Sequence, residues 1–218
     1  MPTSIHPVTR SKTAAKASYD RLSRWYDFLA ASEKPYRDLG LQKLNARPGE
    51  CVLEIGFGTG GCLVSLAQAV GLKGKVWGID LSEGMLCMAQ QRLRAAGLSD
   101  RCDLRVGDAA QLPFGAESFD GVFMSFTLEL FDTPEIPLVL GQSYRVLRSG
   151  GRIVVVTLVK QDCWPVHLYE WFHDRWPAAV DCRPIYAQPA LRDAGFHIRD
   201  VSVRRMWGLP VEIILASR

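Results

Sequence analysis

A glycine-rich stretch near residue 50 has the residue types and the spacing of a ligand-binding turn. The segment CVLEIGFGTGG, residues 51–61, begins with an apolar run and contains glycines at positions 56, 58, 60 and 61. Glycine is needed where the backbone takes a positive φ angle, or where a ligand comes too close for a Cβ atom. Because an amphipathic segment follows, the pattern predicts a strand, a tight turn and a helix whose amino end faces a bound molecule.

Polar residues also occur where the next three predicted strands end. Asp80 ends the second strand, Asp108 and Ala109 follow the third, and Ser125 ends the fourth. In an open parallel sheet the ligand crevice lies outside these carboxyl ends. Asp80 is placed to accept hydrogen bonds from both hydroxyls of a ribose, and Asp108 with Ala109 to accept one from an adenine amino group. Together these positions predict a site for an adenosine group.

The same residues leave other interpretations open. Asp80 could cap the following helix, and Asp108 could hold a turn, as loop aspartates commonly do. Leu81 and Met85 could form an apolar wall beside the adenosine group, although methionine at helical spacing is also typical of a core. Glycines 56, 58 and 61 satisfy G-x-G-x-x-G as well, so a nicotinamide-dependent oxidoreductase is the alternative enzyme class.

The elements that would position these residues alternate between strand and helix. Apolar runs predict strands at 51–55, 75–80, 102–106, 119–124 and 152–158, with helices between them and two final strands at 196–206 and 211–216. The connection 207–210 is so short that the final pair must be antiparallel. The sequence therefore predicts an α/β fold with a doubly wound, mostly parallel seven-stranded sheet and an antiparallel C-terminal hairpin.

The segments outside this core divide the chain further. Residues 1–16 are polar and predict a flexible arm, whereas 17–218 predict a single domain. Helical spacing predicts two cap helices within 17–46, and residues 160–189 form an aromatic-rich insertion with a helix near 166–175. Two helices before the first strand, and the closing hairpin, favour a fold other than that of dinucleotide-binding domains, which commonly begin with the strand.

The composition excludes several classes of protein. The net charge is only +3 and basic residues form only short clusters, so no nucleic-acid partner is expected. Six cysteines lie far apart without metal-ligand spacing, which predicts reduced thiols and no metal site. The N-terminus lacks the apolar stretch of a signal peptide, and no run is long enough to span a membrane. These features predict a cytoplasmic protein.

The ordered series of motifs resembles class I S-adenosylmethionine-dependent methyltransferases. It consists of E-x-G-x-G-x-G at 54–60, Asp80, the GDA at 107–109, FDGVFMSFTLELF at 119–131 and RVLRSGGRIVVV at 145–156. The resemblance spans about residues 19–158 and looks closest to the ubiquinone/menaquinone C-methyltransferases, although the sequence at 126–129 differs from theirs. It implies a Rossmann-like methyltransferase fold and S-adenosylmethionine as the cofactor.

The resemblance also implies a role for each motif residue. The methionine moiety would be held by Thr59 and the backbone at Gly56, Gly58 and Gly60, the ribose by Asp80, the adenine by Asp108 and Ala109, and the inner edge of the cofactor by Ser125. Glu54 would order the glycine loop and reach the methionine amino group through water. Tyr26, or Tyr19, would close over the cofactor.

The methyl acceptor is expected between the cap helices, residues 126–131 and the aromatic insertion. The tryptophans and tyrosines of this pocket favour a small apolar or aromatic acceptor, such as a quinol or phenol, a thiol or a lipid amine. A lipid acceptor would bring peripheral membrane contact. His167, His173 and Glu129 are the candidate general bases. Without a C-x-x-x-C-x-x-C cluster, polar displacement is expected. A third interpretation is a non-catalytic S-adenosylmethionine-binding module.

Overall fold

The structure is a computed structural model that describes residues 23–161, 164, 166, 169 and 182–218, with side chains from residue 32 onward. The arm predicted at 1–16, the helix predicted near 166–175 and most of the insertion 160–189 therefore lie outside the described residues.

Helices and strands alternate along the described chain, as the apolar runs predict. In chain order they are α1 (Ser23–Leu44), β1 (Cys51–Ile55), α2 (Gly61–Val70), β2 (Lys75–Asp80), α3 (Glu83–Ala95), β3 (Cys102–Val106), β4 (Phe119–Ser125), α4 (Ile136–Val146), β5 (Leu147–Leu158), α5 (Ala187–Asp193), β6 (His197–Met206) and β7 (Leu209–Ser217). Short 3₁₀ turns lie at Ser99–Arg101, Ala109–Gln111 and Leu128–Leu130.

The described strands form one seven-stranded sheet in the order β3-β2-β1-β4-β5-β7-β6. The first five strands run parallel to their neighbours, and β7 runs antiparallel to both β5 and β6. The predicted fold class is confirmed. An antiparallel strand inserted between the fifth and sixth positions also distinguishes this sheet from the dinucleotide-binding order 3-2-1-4-5-6.

The central strand β1 is buried on both faces of the sheet. Val52 packs with apolar side chains of α2 and α3, whereas Leu53 and Ile55 pack with those of α4. Because successive residues of a strand point to opposite faces, Glu54 shares the face of Val52. An otherwise apolar strand therefore carries one carboxyl group into the layer formed by α2 and α3.

A single helix, α1, replaces the two cap helices predicted from the sequence. Pro35 lies inside α1 but is exposed, so the carbonyl that loses its helical partner can be hydrated. Gly40 lets the helix lie close to the sheet, because a Cβ atom there would come within 2.7 Å of Val156 Cγ2. The sequence predicts a separate second helix that begins at Pro35, whereas the structure has one continuous helix through that residue.

The closing hairpin has a two-residue turn instead of the predicted connection 207–210. Leu209 pairs with Met206, so only Trp207 and Gly208 form the turn, and both have positive φ angles. This is the pattern of a type I′ turn, whose twist matches that of the flanking strands.

Most strand boundaries lie within two residues of those predicted. The exception is β5, which begins at Leu147 rather than residue 152, because Leu147 already pairs with Phe119 before a register shift. The five described cysteines are free thiols. Within the described residues, no helix has the length and apolar character needed to cross a bilayer.

Candidate functional site

The loops that follow the parallel strands meet at one edge of the sheet. Gly56 N donates to Ile79 O at 2.8 Å, and Gly107 N donates to Asp80 O at 2.9 Å. Each of these hydrogen bonds continues the strand pairing one residue beyond the strand end. The loops after β1, β2 and β3 therefore begin side by side, as expected for a crevice at the carboxyl ends of the strands.

The glycines of the turn after β1 have different surroundings. Gly56, Gly58 and Gly60 all take positive φ angles, of 71°, 51° and 81°. A Cβ atom at Gly56 would lie 2.3 Å from Thr127 Cγ2, and one at Gly60 would lie 2.9 Å from the Cβ atom of Ala89. At Gly58 no described atom lies within 4 Å of that position. The first and last glycines therefore permit packing, whereas Gly58 borders open space.

Asp80 ties the glycine turn to the start of α3. Its Oδ2 atom accepts from Gly58 N at 2.9 Å, and its Oδ1 atom accepts from Ser82 N at 3.0 Å. Burial raises the pKa of Asp80, and the backbone N–H donors at Ser82, Gly58 and Leu81 partly offset that rise. A carboxylate has about four acceptor positions, so it can still accept from ribose hydroxyls. The N-cap of α3 is Ser82, whose Oγ accepts from Met85 N.

The residues expected around the adenine lie at the ends of β2 and β3. Asp108 Oδ1 accepts from Ala110 N at 2.9 Å, so this carboxylate does hold a turn, and Ala109 beside it is buried. Leu81 is half-buried at the end of β2. Met85 is buried among the core side chains of α2 and α3, as the helical spacing allowed.

Two buried polar atoms beside the glycine turn have no hydrogen-bond partner among the described residues. They are Oε2 of Glu54 and Oγ of Ser125. Glu54 pairs with Phe123 of β4, and Ser125 lies two residues beyond Phe123, so both side chains project from the same face of the sheet. Leaving such atoms unpaired costs about 1–3 kcal/mol each, which a polar ligand between them would recover.

Two arginines that no sequence motif includes flank the first residue of α2. Nη1 of Arg92 and Nη1 of Arg37 lie 3.4 Å and 4.0 Å from the position of a Cβ atom at Gly61. Arg92 also donates to Thr59 Oγ1 at 3.0 Å. Both arginines belong to helices, α1 and α3, and neither carries a local signal of its position. Their positive charges, together with the N-terminus of α2, favour an anionic group at this end of the site.

The charge of Arg37 also reaches Glu54. Burial raises the pKa of Glu54 well above its ordinary value, Arg37 opposes that rise and Asp80 adds to it. A ligand that placed a cation near Glu54 and an anion near Arg37 would match both groups. An amino acid moiety carries that pair of charges.

Glu129 lies in a second polar cluster, at the ends of β4 and β5. Its side chain is buried, with Oε2 accepting from Thr157 Oγ1 at 2.8 Å and Oε1 accepting from Leu158 N at 3.3 Å. Burial raises the pKa of Glu129 to about 8, and these donors oppose the rise. Because both oxygens are used, Glu129 ties the loop after β4 to β5 in this structure.

The predicted site residues fall into two groups. The structure brings the glycine turn, Glu54, Asp80, Asp108 and Ser125 to one edge of the sheet. The predicted bases His167 and His173, and the predicted cofactor contacts of Tyr19 and of the Tyr26 side chain, lie outside the described residues and side chains.

Comparison with known proteins identifies the domain to which this edge belongs. Residues 52–151 match a family described as "Methyltransferase domain". This stretch, somewhat less than half of the chain, is therefore identified by similarity as a methyltransferase domain. The cofactor of such a domain is S-adenosylmethionine, and the alternation of strand ends with Gly58, Asp80 and Asp108 lies within the matched residues.

The relatives of the methyltransferase domain include quinone-modifying enzymes. A demethylmenaquinone methyltransferase from Symbiobacterium thermophilum is 34% identical over 148 residues, which cover 65% of this chain and 58% of that protein. The chain thus spans less than two thirds of that relative's length. Among solved structures, a [4+2]-cyclase, SpnF, aligns with a TM-score of 0.77 at 19% identity over 99% of both chains. A methyltransferase from Aquifex aeolicus aligns at 0.64 and 23% identity, over 83% of this chain and 88% of that one. These structural likenesses show the fold.

Residues of the methyltransferase domain fit S-adenosylmethionine. The unpaired Glu54 and Ser125 atoms provide polar partners, and the turn at Gly58 leaves space for a ligand, since no described atom lies within 4 Å of a Cβ position there. Carboxylates at Asp80 and Asp108 suit a ribose and an adenine amino group. The cationic sulfonium and amino groups of the cofactor also suit a crevice that holds three carboxyl groups.

Proposed function

We propose that this protein transfers the methyl group of S-adenosylmethionine to a small apolar or aromatic acceptor by polar displacement. The observation that carries the proposal is the pair of unpaired buried atoms, Glu54 Oε2 and Ser125 Oγ, on one face of the sheet beside Gly58. Both atoms can hydrogen-bond a polar ligand at the position where the motif series expects one. The cofactor supplies a methyl group already activated by its sulfonium.

Each polar residue of the edge then has a part in orienting the cofactor. Asp80 accepts from the ribose hydroxyls, and Asp108 accepts from the adenine amino group. Glu54 faces the amino group of the methionine moiety, and Arg37 faces its carboxylate. Such contacts fix the methyl carbon in one direction, and alignment of this kind supplies most of the rate in displacement reactions.

The acceptor we favour is a quinol or phenol, with a thiol or a lipid amine as alternatives. Relatives named as demethylmenaquinone methyltransferases support the quinol. An aromatic wall beside the site also supports it, because Tyr36 of α1 meets Phe126 edge-on, with ring centroids 6.4 Å apart. His167 and His173 remain the proposed general bases for the acceptor hydroxyl.

Calorimetry with S-adenosylmethionine, its demethylated product and NAD tests the cofactor assignment. We expect binding of the first two and at least a tenfold loss of affinity in Asp80→Ala, because two ribose hydrogen bonds are lost. Asp100→Ala, in the turn before β3, is the matched control and should bind normally. Binding of NAD alone would overturn the proposal, and unchanged affinity in Asp80→Ala would show that the ribose lies elsewhere.

Methyl transfer needs a separate test, because the fold alone is also that of a cyclase. Cofactor with a labelled methyl group would be incubated with a quinol lacking its lipid tail, a phenol, a thiol and an amine. Label in the quinol or phenol, reduced at least tenfold in His167→Ala or His173→Ala, supports the proposal. Cofactor binding without label in any acceptor would favour a non-catalytic binding module.

A further inference from the structure

The tip of the β6–β7 hairpin exposes a tryptophan in a strained conformation. Trp207 is 61% exposed and has a φ angle of 53°, and Gly208 after it has a φ angle of 85°. A bulky side chain in the left-handed region costs about 1 kcal/mol or more, and Asn or Gly is preferred at the first position of a type I′ turn. Neither burial nor turn geometry accounts for tryptophan here.

The hairpin tip lies at the same edge of the sheet as the cofactor site. Val159, just beyond the end of β5, donates its N–H to Pro210 O, and Tyr36 donates its hydroxyl to Arg205 O at 2.7 Å. Tyr36 also contacts Phe126, which directly follows β4. One side chain therefore links the hairpin to the loop beside the expected acceptor pocket.

Positive charge surrounds Trp207 on both faces of the hairpin. Arg204 pairs with the buried Val211 and Arg205 with Pro210, so the two arginines project to opposite faces, and both are exposed. The acids of the hairpin, Glu212 and the more distant Asp200, are engaged by Gln188 and by Lys43 of α1. An exposed tryptophan with arginines on either side combines the two features by which proteins bind anionic lipid surfaces, an interfacial aromatic ring and adjacent basic groups.

We propose that the hairpin tip, Trp207 with Arg204 and Arg205, docks on an anionic lipid surface and holds the acceptor pocket against it. This rests on the proposed function, because it names the phase from which the acceptor comes. An apolar acceptor dissolved in a bilayer could then enter the pocket without crossing water. Trp164, also exposed, belongs to the segment that leaves β5 at this edge.

Co-sedimentation of the full chain with vesicles tests the docking surface. The vesicles would be phosphatidylcholine alone or phosphatidylcholine with about one third phosphatidylglycerol. We expect binding to the anionic vesicles only, weakened by high ionic strength. Arg204→Ala and Arg205→Ala should each weaken binding about fivefold. Equal binding to both kinds of vesicle, or none to either, would overturn the proposal.

Trp207→Asn separates docking from folding, because it puts asparagine before glycine in the turn that most favours that pair. We expect an unchanged or higher melting temperature together with at least a threefold loss of vesicle binding. Leu72→Ala and Arg94→Ala, on other exposed surfaces, are the matched controls and should bind like the natural chain. Full vesicle binding by Trp207→Asn would overturn the proposal. It would also be overturned if the natural chain formed a dimer through Trp207 and sedimented equally with and without vesicles.

Calorimetry with S-adenosylmethionine on the same variants keeps the two proposals apart. Normal cofactor affinity with lost vesicle binding supports the docking surface. Vesicle binding by a chain that fails to bind the cofactor would contradict the proposed function, while leaving the lipid contact itself demonstrated.

Discussion

The half of the site that follows β1, β2 and β3 is built differently from the half that follows β4 and β5. In the first half, a carboxylate accepts from backbone N–H groups of the adjoining loops, as Asp80 does from Gly58 and Ser82. In the second half, buried charged side chains join distant segments, as Arg183 does with the carbonyl of Phe131 across 52 positions. The first half is a backbone cradle, and the second is a side-chain network.

This difference matches what we propose that each half recognises, the cofactor in the first and the acceptor in the second. A cofactor of fixed structure can be held by backbone groups whose positions follow from glycines and strand ends. An acceptor is recognised by side chains, and those at the ends of β4 and β5 are fixed by long-range contacts, such as that of Thr157 with Glu129. The cradle should therefore respond sharply to single backbone changes, and the network to changes of charge.

The largest effect is expected from Gly56→Ala. A Cβ atom there would overlap Thr127 Cγ2 at 2.3 Å, and the φ angle of 71° adds strain. We expect a loss of about 2–5 kcal/mol in the free energy of unfolding, measured by chemical denaturation. Gly49→Ala, with positive φ but no described atom within 4 Å, should lose only the strain. Equal losses would mean that the two loops do not pack, and Thr127→Ala should restore part of the stability of Gly56→Ala.

A second comparison separates the cradle from ordinary turns. Gly58 and Gly97 have similar φ angles, 51° and 67°, and at neither does a described atom lie within 4 Å of the position that a Cβ atom would take. Substitution by alanine should therefore cost each about 1–3 kcal/mol of stability. Only Gly58→Ala should lower affinity for S-adenosylmethionine, by at least tenfold in calorimetry, because its Cβ atom occupies the ligand's space. Equal affinities would place the ligand away from this turn.

Glu54→Gln tests whether charge matters inside the cradle. Burial raises the pKa of Glu54 well above its ordinary value. In the free protein, its carboxyl group therefore keeps its proton at pH values at which an exposed glutamate is ionised. A cationic amino group favours the ionised form, so binding should release a proton and affinity should rise with pH. The glutamine variant should bind about ten- to a hundredfold more weakly and lose the proton release. Calorimetry in two buffers of different ionisation enthalpy measures the proton release on binding. The exposed Glu83→Gln variant is the control.

The cradle was predictable from the sequence because its determinants are local. Gly58, Asp80 and Ser82 are each recognised from a strand end, a turn residue or a helix cap, and the structure has them in those places. The network was not, because nothing near Arg183 in the sequence indicates that its side chain is buried or that it donates to Thr133 Oγ1. The continuity of α1 through Pro35 was not predicted either, because it depends on the packing of the helix on the sheet.

The pH dependence of the free energy of unfolding tests the network. Burial raises the pKa of Glu129 to about 8 and that of Glu33, on α1, to about 7. A carboxyl whose pKa is raised by folding keeps its proton in the native state after the unfolded chain has lost it. Its contribution to the free energy of unfolding is therefore complete below its ordinary pKa and is lost as the pH rises toward 8. The loss is at most about 1.4 kcal/mol per pH unit for each group.

Glu129→Gln should remove the share of this loss that belongs to Glu129. Denaturation measured between about pH 5 and pH 8 should show a free energy of unfolding that falls less steeply with pH in the variant than in the natural chain. Glu83→Gln, on the exposed first turn of α3, should leave the slope unchanged, and the other buried carboxyls are common to all three proteins. Parallel slopes for Glu129→Gln and the natural chain would mean that Glu129 is ionised throughout, so that the network is held by a carboxylate rather than by a protonated acid.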